Sequence, residues 1–352
     1  MVELPEIGKI SRNVFEELIY PHLGAKSKSV LVGPQHGVDV GIVEIGGKAV
    51  ALTADPVFIV PEYGFKRSAW FAIHILASDV VTSGLPPTYL SIDLNLPLSM
   101  KKEELEIVWK VIDEECKKMG MAIVCGHTGR YDNCQYPMVG GATVLAVGEL
   151  DRYVSPKFVK EGDLLIITKG PAIEASGIFL TMFPDYIKEK LGEKISNKGD
   201  EIFYKMSVVE DAMEAVKAGV RDEGVSAMHD ATECGIYGGV FEMALASDLG
   251  IILDKDKIVI EEGILEICNL FKIDPFSSIS EGTLLIAVRE KKADLVLKLL
   301  KEKDIKASVA GEFISKEKGF ILKEGGKEKK LSHPEVDPFW NAFYTSLQKI
   351  KV

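Results

Sequence analysis

Strand-like and helix-like stretches do not alternate one for one along this chain. That order disfavours a plain doubly wound parallel sheet and favours two α+β units. Residues 30–60 read as β: Ser29–Val32, then Val38–Ile45, with Gly46-Gly47 as a hairpin turn into Lys48–Thr53. A helix is expected from Lys66 to Ser83, because Ala69, Ile73, Leu76 and Val80 recur at helical spacing and Gly84 with Pro86-Pro87 ends the run. Tyr89–Leu96 reads as a strand, and Ser99 can cap a helix that runs to Met119 and stops at Gly120. Met121–Cys125 and Thr143–Val147 complete the first unit.

Asp151–Glu161 breaks the pattern, so the expected domains are 1–155 and 156–352. The second unit holds a strand at Leu164–Thr168, a helix from the Ser207–Glu210 capping box to Ala218, and a helix at Val240–Ala246. A strand at Gly282–Val288, a helix at Ala293–Lys301 and a solvated hairpin over Lys316–Lys330 follow. A length of 352 residues lets each unit bury its own core.

The net charge of −11 argues against a nucleic-acid partner, whose backbone wants a basic face. No apolar stretch approaches the ~20 residues of a membrane helix. Met1–Glu6 does not read as a secretory leader. Five cysteines, an odd number without tight pairs, fit a reducing cytoplasm. The P-loop, the Rossmann glycine fingerprint, the Gly-x-Ser-x-Gly elbow and His-Glu-x-x-His are all absent. Cys116, Cys125, His127 and Cys134 lack the short clasp of a structural zinc site, and read more simply as separate thiols and a loop histidine.

What the chain does contain is aspartates at the ends of apolar runs, in Gly-bearing surroundings. Asp39 lies in Gly37-Val38-Asp39-Val40-Gly41, Asp55 in Thr53-Ala54-Asp55-Pro56, and Asp230 in His229-Asp230-Ala231-Thr232 before Gly235. For any one of them a cap or turn role is the simpler reading. Asp79 is different, because it falls between Leu76 and Val80 on an apolar helix, where solvation is awkward. Several carboxylates without nearby basic partners call for cations, and Mg²⁺ takes such oxygen ligands together with phosphate oxygens.

Read in order, these stretches resemble the AIR synthase-like family of ATP-dependent enzymes. That family includes aminoimidazole ribonucleotide synthetase, thiamine-monophosphate kinase, selenophosphate synthetase and HypE. Val38–Val43 is similar to the family's Asp-Asp-Ala-Ala-Val-Ile, and Thr53-Ala54-Asp55 to its Thr-Thr-Asp. Ala77-Ser78-Asp79 with Gly84–Pro87 looks like its Asn-Asp-Leu-Ala and Gly-Ala-x-Pro. Gly126-His127-Thr128 stands where the family often has Gly-Asp-Thr. His229–Gly235 is close to its His-Asp-Ala-Thr-Arg-Gly-Gly, and Ile273–Pro275 with Ser280–Gly282 matches its Asp-Pro and Glu-Gly pair. The series spans about residues 30 to 315.

The resemblance implies an α+β fold of two domains. The N-terminal domain would pair across a homodimer to close a β-barrel, and the C-terminal domain would form an α+β sandwich. It implies ATP in a cleft between the halves, with Mg²⁺ on Asp39, Asp55 and Asp79. Gly126, His127 and Thr128 would border the nucleotide, and His229 and Asp230 would face it from the second domain; Asp79, His127 and Asp230 are the catalytic candidates. Glu281 would order the loop beneath. The chemistry implied is phosphorylation of an amide or carbamoyl-type oxygen, nearest to HypE, possible partners being the acceptor molecule and a maturation protein. HypE carries its carbamoyl group on a terminal cysteine, whereas the last cysteine here is Cys268, so that mode of carriage is not expected. His127 and Glu233-Cys234 depart from the family pattern. They leave two alternatives: a nucleotide-binding scaffold or maturation partner without turnover, and a small-molecule kinase of the thiamine-monophosphate type.

Overall fold

The computed structural model describes residue 10 and residues 12–350. Among these, the N-terminal half forms a six-stranded sheet from β1 (Val30–Val32), β2 (Gly41–Ile45), β3 (Lys48–Ile59), β4 (Pro87–Pro97), β5 (Ala122–Tyr131) and β6 (Met138–Glu149). Its order is β1-β2-β3-β6-β4-β5, antiparallel throughout except for the β4/β5 pair. Helix Phe65–Val81 packs Ala69, Ile73, Leu76 and Val80 against one face, all fully buried. Helix Lys102–Met119 lies beside it.

The C-terminal half forms a seven-stranded sheet from β7 (Leu164–Thr168), β8 (Val225–Asp230), β9 (Gly250–Asp254), β10 (Leu284–Val288), β11 (Ala307–Ile314), β12 (Phe320–Glu324) and β13 (Lys327–Lys330). Its order is β13-β12-β9-β11-β7-β10-β8. One core runs unbroken from the first sheet through helix Phe65–Val81 to the β8/β10 end of the second. A second core, rich in phenylalanine, joins helices Ile173–Met182, Ile264–Phe271 and Pro338–Lys349.

The architecture is mixed α+β with two sheets. The first sheet is open in the single chain, ending at β1 and β5, so the chain closes no barrel by itself. Several elements run longer than their sequence pattern predicts. β3 continues to Ile59 through Pro56, because β2 pairs only with Lys48–Leu52 and leaves the later part of β3 as an edge where proline costs no ladder bond. β5 reaches Tyr131 and β6 begins at Met138, both through glycines that weaken the strand signal.

Other elements are shorter. The expected strand at Val38–Ile45 starts only at Gly41, because Asp39 turns away to meet the second domain. The Ser207 capping box does not form; helix Val209–Ala215 starts later, and the Ser207 hydroxyl meets the ring of His74 instead. Ser99 lies outside its helix, whose start is held by the Glu104 carboxylate accepting from the Lys101 N–H. The 316–330 stretch is a hairpin, but its β12 arm is built into the sheet beside β9 and buries Leu322.

Candidate active site

The loop between β1 and β2 crosses to the second domain. Gly37 makes that crossing possible, since its φ is +75° and a Cβ there would lie 2.3 Å from the Glu242 carbonyl oxygen. Gly37→Ala should therefore displace Asp39 and lower stability by roughly 2–4 kcal/mol, read by urea unfolding; wild-type stability would show that the loop has room to shift.

Asp39 arrives at His229 and Asp230, at the end of β8. One carboxylate oxygen of Asp39 is 2.8 Å from His229 Nδ1, and the other accepts from the Asp230 backbone N–H at 3.1 Å. The other ring nitrogen of His229 lies 3.4 Å from Glu242. Burial alone would lower the His229 pKa, but the two flanking carboxylates outweigh it and push it up to about 10. His229 is therefore a fixed imidazolium at neutral pH, with both ring nitrogens donating. Glu242 also meets His333 at 3.5 Å.

Asp79 projects from the helix beneath the first sheet. Its carboxylate accepts from the Thr53 hydroxyl on β3 at 2.9 Å. Burial, then a hydrogen bond with Asp55 and the charges of Asp55, Asp39 and Asp230, hold it well above the usual carboxylate range. Asp230 is 1% exposed and is pushed up to about 7, first by burial and also by Asp39. Glu281, 2% exposed, faces Asp230 and is raised well above normal, again by burial first and then by Asp230. Glu174 accepts from the Glu281 N–H at 3.1 Å and is raised to about 8, with burial the leading cause.

The chemistry of this group follows from what its oxygens face. Both carboxylate oxygens of Asp230 and Oε1 of Glu281 are buried without a hydrogen-bond donor. The Asp230 and Glu281 carboxyls interact directly, so a proton on one of them, or a cation, satisfies the pair. Among the described residues no three His, Cys, Asp or Glu side chains form a ready-made metal cage. Mg²⁺ needs none, because it commonly takes one or two carboxylates and fills the rest with water and phosphate oxygens. The carboxylates fit such an ion. Lys169, buried and paired with Asp211 at 2.8 Å, is the cation whose charge lowers the pKa of Asp230 beside His229.

The fold thus gathers Asp39, Asp55, Asp79, His229 and Asp230. It does not bring Gly126, His127 and Thr128 into contact with them. Register places His127 opposite Asp93, Asp93 opposite Gly141 and Gly141 opposite Pro56, one residue beyond Asp55. Successive strand residues point to opposite faces, so His127 lies on the other face from Asp55, where its ring meets the Tyr131 hydroxyl at 2.8 Å. That face bears a concavity of about 740 Å³, bordered by Pro56, Ser91, Asp93, Cys125 and His127.

Glu242 and Lys169 carried no signal in the sequence, being unremarkable residue types in ordinary runs. The part played by Glu281 was signalled by Ser280-Glu281-Gly282, yet the expected role was to order a loop; the structure turns its side chain toward Asp230. Trp70 stacks on His74 with 4.0 Å between ring centres and meets Tyr204 edge-on, so it packs between the domains.

Comparison with known proteins agrees with this fold. The model of the AIR synthase related protein N-terminal domain matches residues 37–148, and that of the C-terminal domain matches residues 160–323. A putative hydrogenase expression/formation protein of Methanocaldococcus jannaschii is 26% identical over 342 residues, covering 94% of this chain and 96% of that protein. The carbamoyl dehydratase HypE of Escherichia coli is 26% identical over 270 residues, covering 74% of this chain and 75% of that protein. Two solved structures share the fold. A HypE–HypF complex gives a TM-score of 0.70 at 19% identity, covering 91% of this chain and 99% of that one. HypE in complex with ATP gives 0.67 at 20% identity, covering 94% and 97%. With both halves matched in order and both sheets in place, the chain belongs to the AIR synthase related family, with hydrogenase expression/formation proteins and HypE among its relatives.

Proposed function

We propose that this protein is a HypE-like, ATP- and Mg²⁺-dependent enzyme that phosphorylates an amide or carbamoyl-type oxygen in hydrogenase maturation. The observation that carries the reading is the buried Asp230–Glu281 pair, whose carboxyls interact directly, with Asp39, Asp55 and Asp79 close by. Bound Mg²⁺ would offset the charge of the triphosphate, with Asp55, Asp79 and Asp230 the carboxylates placed to hold it. Asp39 is already engaged with His229 and the Asp230 N–H, so its part is to fix the position of Asp230. His229, with its two ring nitrogens engaged by Asp39 and Glu242, fixes the position of the Asp39 carboxylate. Asp230, pushed up to about 7 without metal, would give up its proton as the cation binds.

A homodimer and a maturation partner belong to the same reading. The outer side of the first sheet supports the dimer, since Phe58, Val124 and Val139 are exposed there and β5 is an unpaired edge. The position of His127 favours the second reading, a nucleotide-binding scaffold without turnover, because His127 stands on the face away from the carboxylates.

Calorimetric titration with a non-hydrolysable ATP analogue, with and without Mg²⁺, tests the proposal. Metal-dependent binding is the expected outcome, and would be followed by a search for turnover with carbamoyl and amide acceptors. Absence of binding in either condition would overturn the site assignment; binding without turnover on any acceptor would favour the scaffold.

A further inference from the structure

The two loops that carry the buried pair come from distant parts of the chain. Asp230 is followed by the turn Ala231–Cys234, which ends with Cys234 at φ 64° as it enters helix Gly235–Ala246. Glu281 is preceded by Ser278–Ser280. The loops are stitched together directly: the Ala231 N–H donates to the Thr283 carbonyl at 3.0 Å, and the Ser280 N–H to the Thr232 carbonyl at 3.2 Å.

A third element reaches both of them. Asp337, 5% exposed, opens the last helix, Pro338–Lys349, by accepting from the Phe339 N–H at 2.8 Å through Oδ1. A cap needs only that one bond. Its other oxygen accepts from the Cys234 N–H at 2.7 Å, and the Ile279 N–H lies near enough to lower the pKa of the same carboxyl. Backbone N–H groups of both loops and of the helix thus surround one buried side chain. Next to it, the Trp340 ring N–H donates to Glu233 at 3.0 Å. The helix behind is anchored by Phe339, fully buried, with its ring 5.1 Å from that of Phe179. The anchor is rigid, so the carboxylate it carries is a fixed point for the two loops.

We infer that Asp337 is a positioning residue for the Asp230–Glu281 pair, with the C-terminal helix acting as the brace of the site. Asp337 touches neither reacting group; it sets the spacing of two carboxylates that must face each other to share one proton or cation. The inference rests on the assignment of that pair to the site, but not on what the site binds.

Asp337→Ser separates the two roles, because serine caps a helix well yet cannot supply a second oxygen to Cys234. Amide hydrogen exchange followed by NMR in the full chain should show helix Pro338–Lys349 protected as in wild type. The amides of Ala231, Cys234, Ile279 and Ser280 should exchange at least ~10-fold faster. Affinity for Mg²⁺ with the ATP analogue should fall by ~10-fold or more, since the pair is no longer held at its spacing. Asp337→Asn, which keeps the size but turns one oxygen into a donor, should move the loop amides in the same direction, and covers the case in which the serine variant fails to fold. Unchanged exchange in the two loops, or loss of helix protection alone, would reduce Asp337 to a helix cap and overturn the inference. Faster loop exchange in a protein whose wild type binds no nucleotide would leave the inference standing and remove only the proposed function.

Discussion

Without divalent cation, this protein should be more stable at pH 6 than at pH 8. Asp230 is raised from 3.8 to about 7, Glu174 from 4.5 to about 8 and Asp337 from 3.8 to about 6, in each case chiefly by burial. An unfolded chain releases these protons near pH 4, whereas the folded chain keeps them until the raised pKa is passed. Between pH 5 and 8 the folded state therefore binds more protons, and stability falls as pH rises. His229, raised from 6.5 to about 10, acts in the same direction above pH 6.5. His74 opposes it below pH 6.5, because burial lowers its pKa. The paired surface carboxylate Glu324, held near 2, matters only in acid.

Each raised unit is worth about 1.4 kcal/mol, so the combined effect is on the order of several kcal/mol. Urea unfolding at pH 6, 7 and 8 with chelator should show the fall, and millimolar Mg²⁺ should flatten it, since the cation replaces the protons between the carboxylates. A chelated protein whose stability stays level or climbs from pH 6 to 8 would mean that burial does not hold these carboxyls above their ordinary range.

Replacing one of the facing carboxylates should stabilise the apo protein and disable it at once. Asp230→Asn keeps the shape of the side chain, removes a charge buried among Asp39, Asp79 and Glu281, and supplies a donor for the orphaned Glu281 oxygen. The expected result is a higher melting temperature than wild type in chelator. Mg²⁺-dependent affinity for the ATP analogue should drop ~100-fold, about 2.7 kcal/mol. Asp79→Asn should weaken binding likewise while keeping the bond from Thr53. Binding at wild-type strength in both variants would place the nucleotide elsewhere. A lower melting temperature for Asp230→Asn in chelator would mean that its carboxylate already has a donor.

How much of this could be read beforehand differs from residue to residue. Asp79 announced itself, because an acid between Leu76 and Val80 breaks a periodic apolar face, and such a break is local. His229-Asp230 and Ser280-Glu281-Gly282 were visible as motifs, but their meeting was not. The β2–β3 hairpin was legible from Gly46-Gly47, whereas the far part of β3 was hidden by Pro56, which is tolerated only because β2 has already ended there. His127 read as a loop histidine beyond a strand ending at Cys125, whereas β5 runs on through it and its register with β4 sets the face it takes. Asp337 gave no sign beyond an aspartate before a proline.

The sequence by itself determined helices Phe65–Val81, Lys102–Met119 and Glu290–Glu302, most strand positions of the first sheet, the two α+β halves and the family, because apolar periodicity, glycine and proline act over a few residues and motifs survive in order. Helices Ile173–Met182, Ile264–Phe271 and Pro338–Lys349 and strands β8, β9 and β11 were not foreseen. Only the tertiary structure decided which acids are buried together, which face carries His127 and what braces the site. Asp39 meets His229 from 190 residues away, and Cys234 meets Asp337 from 103. Burial of a charge, which sets these pKa values, is a property of everything packed around it and not of its neighbours in the chain.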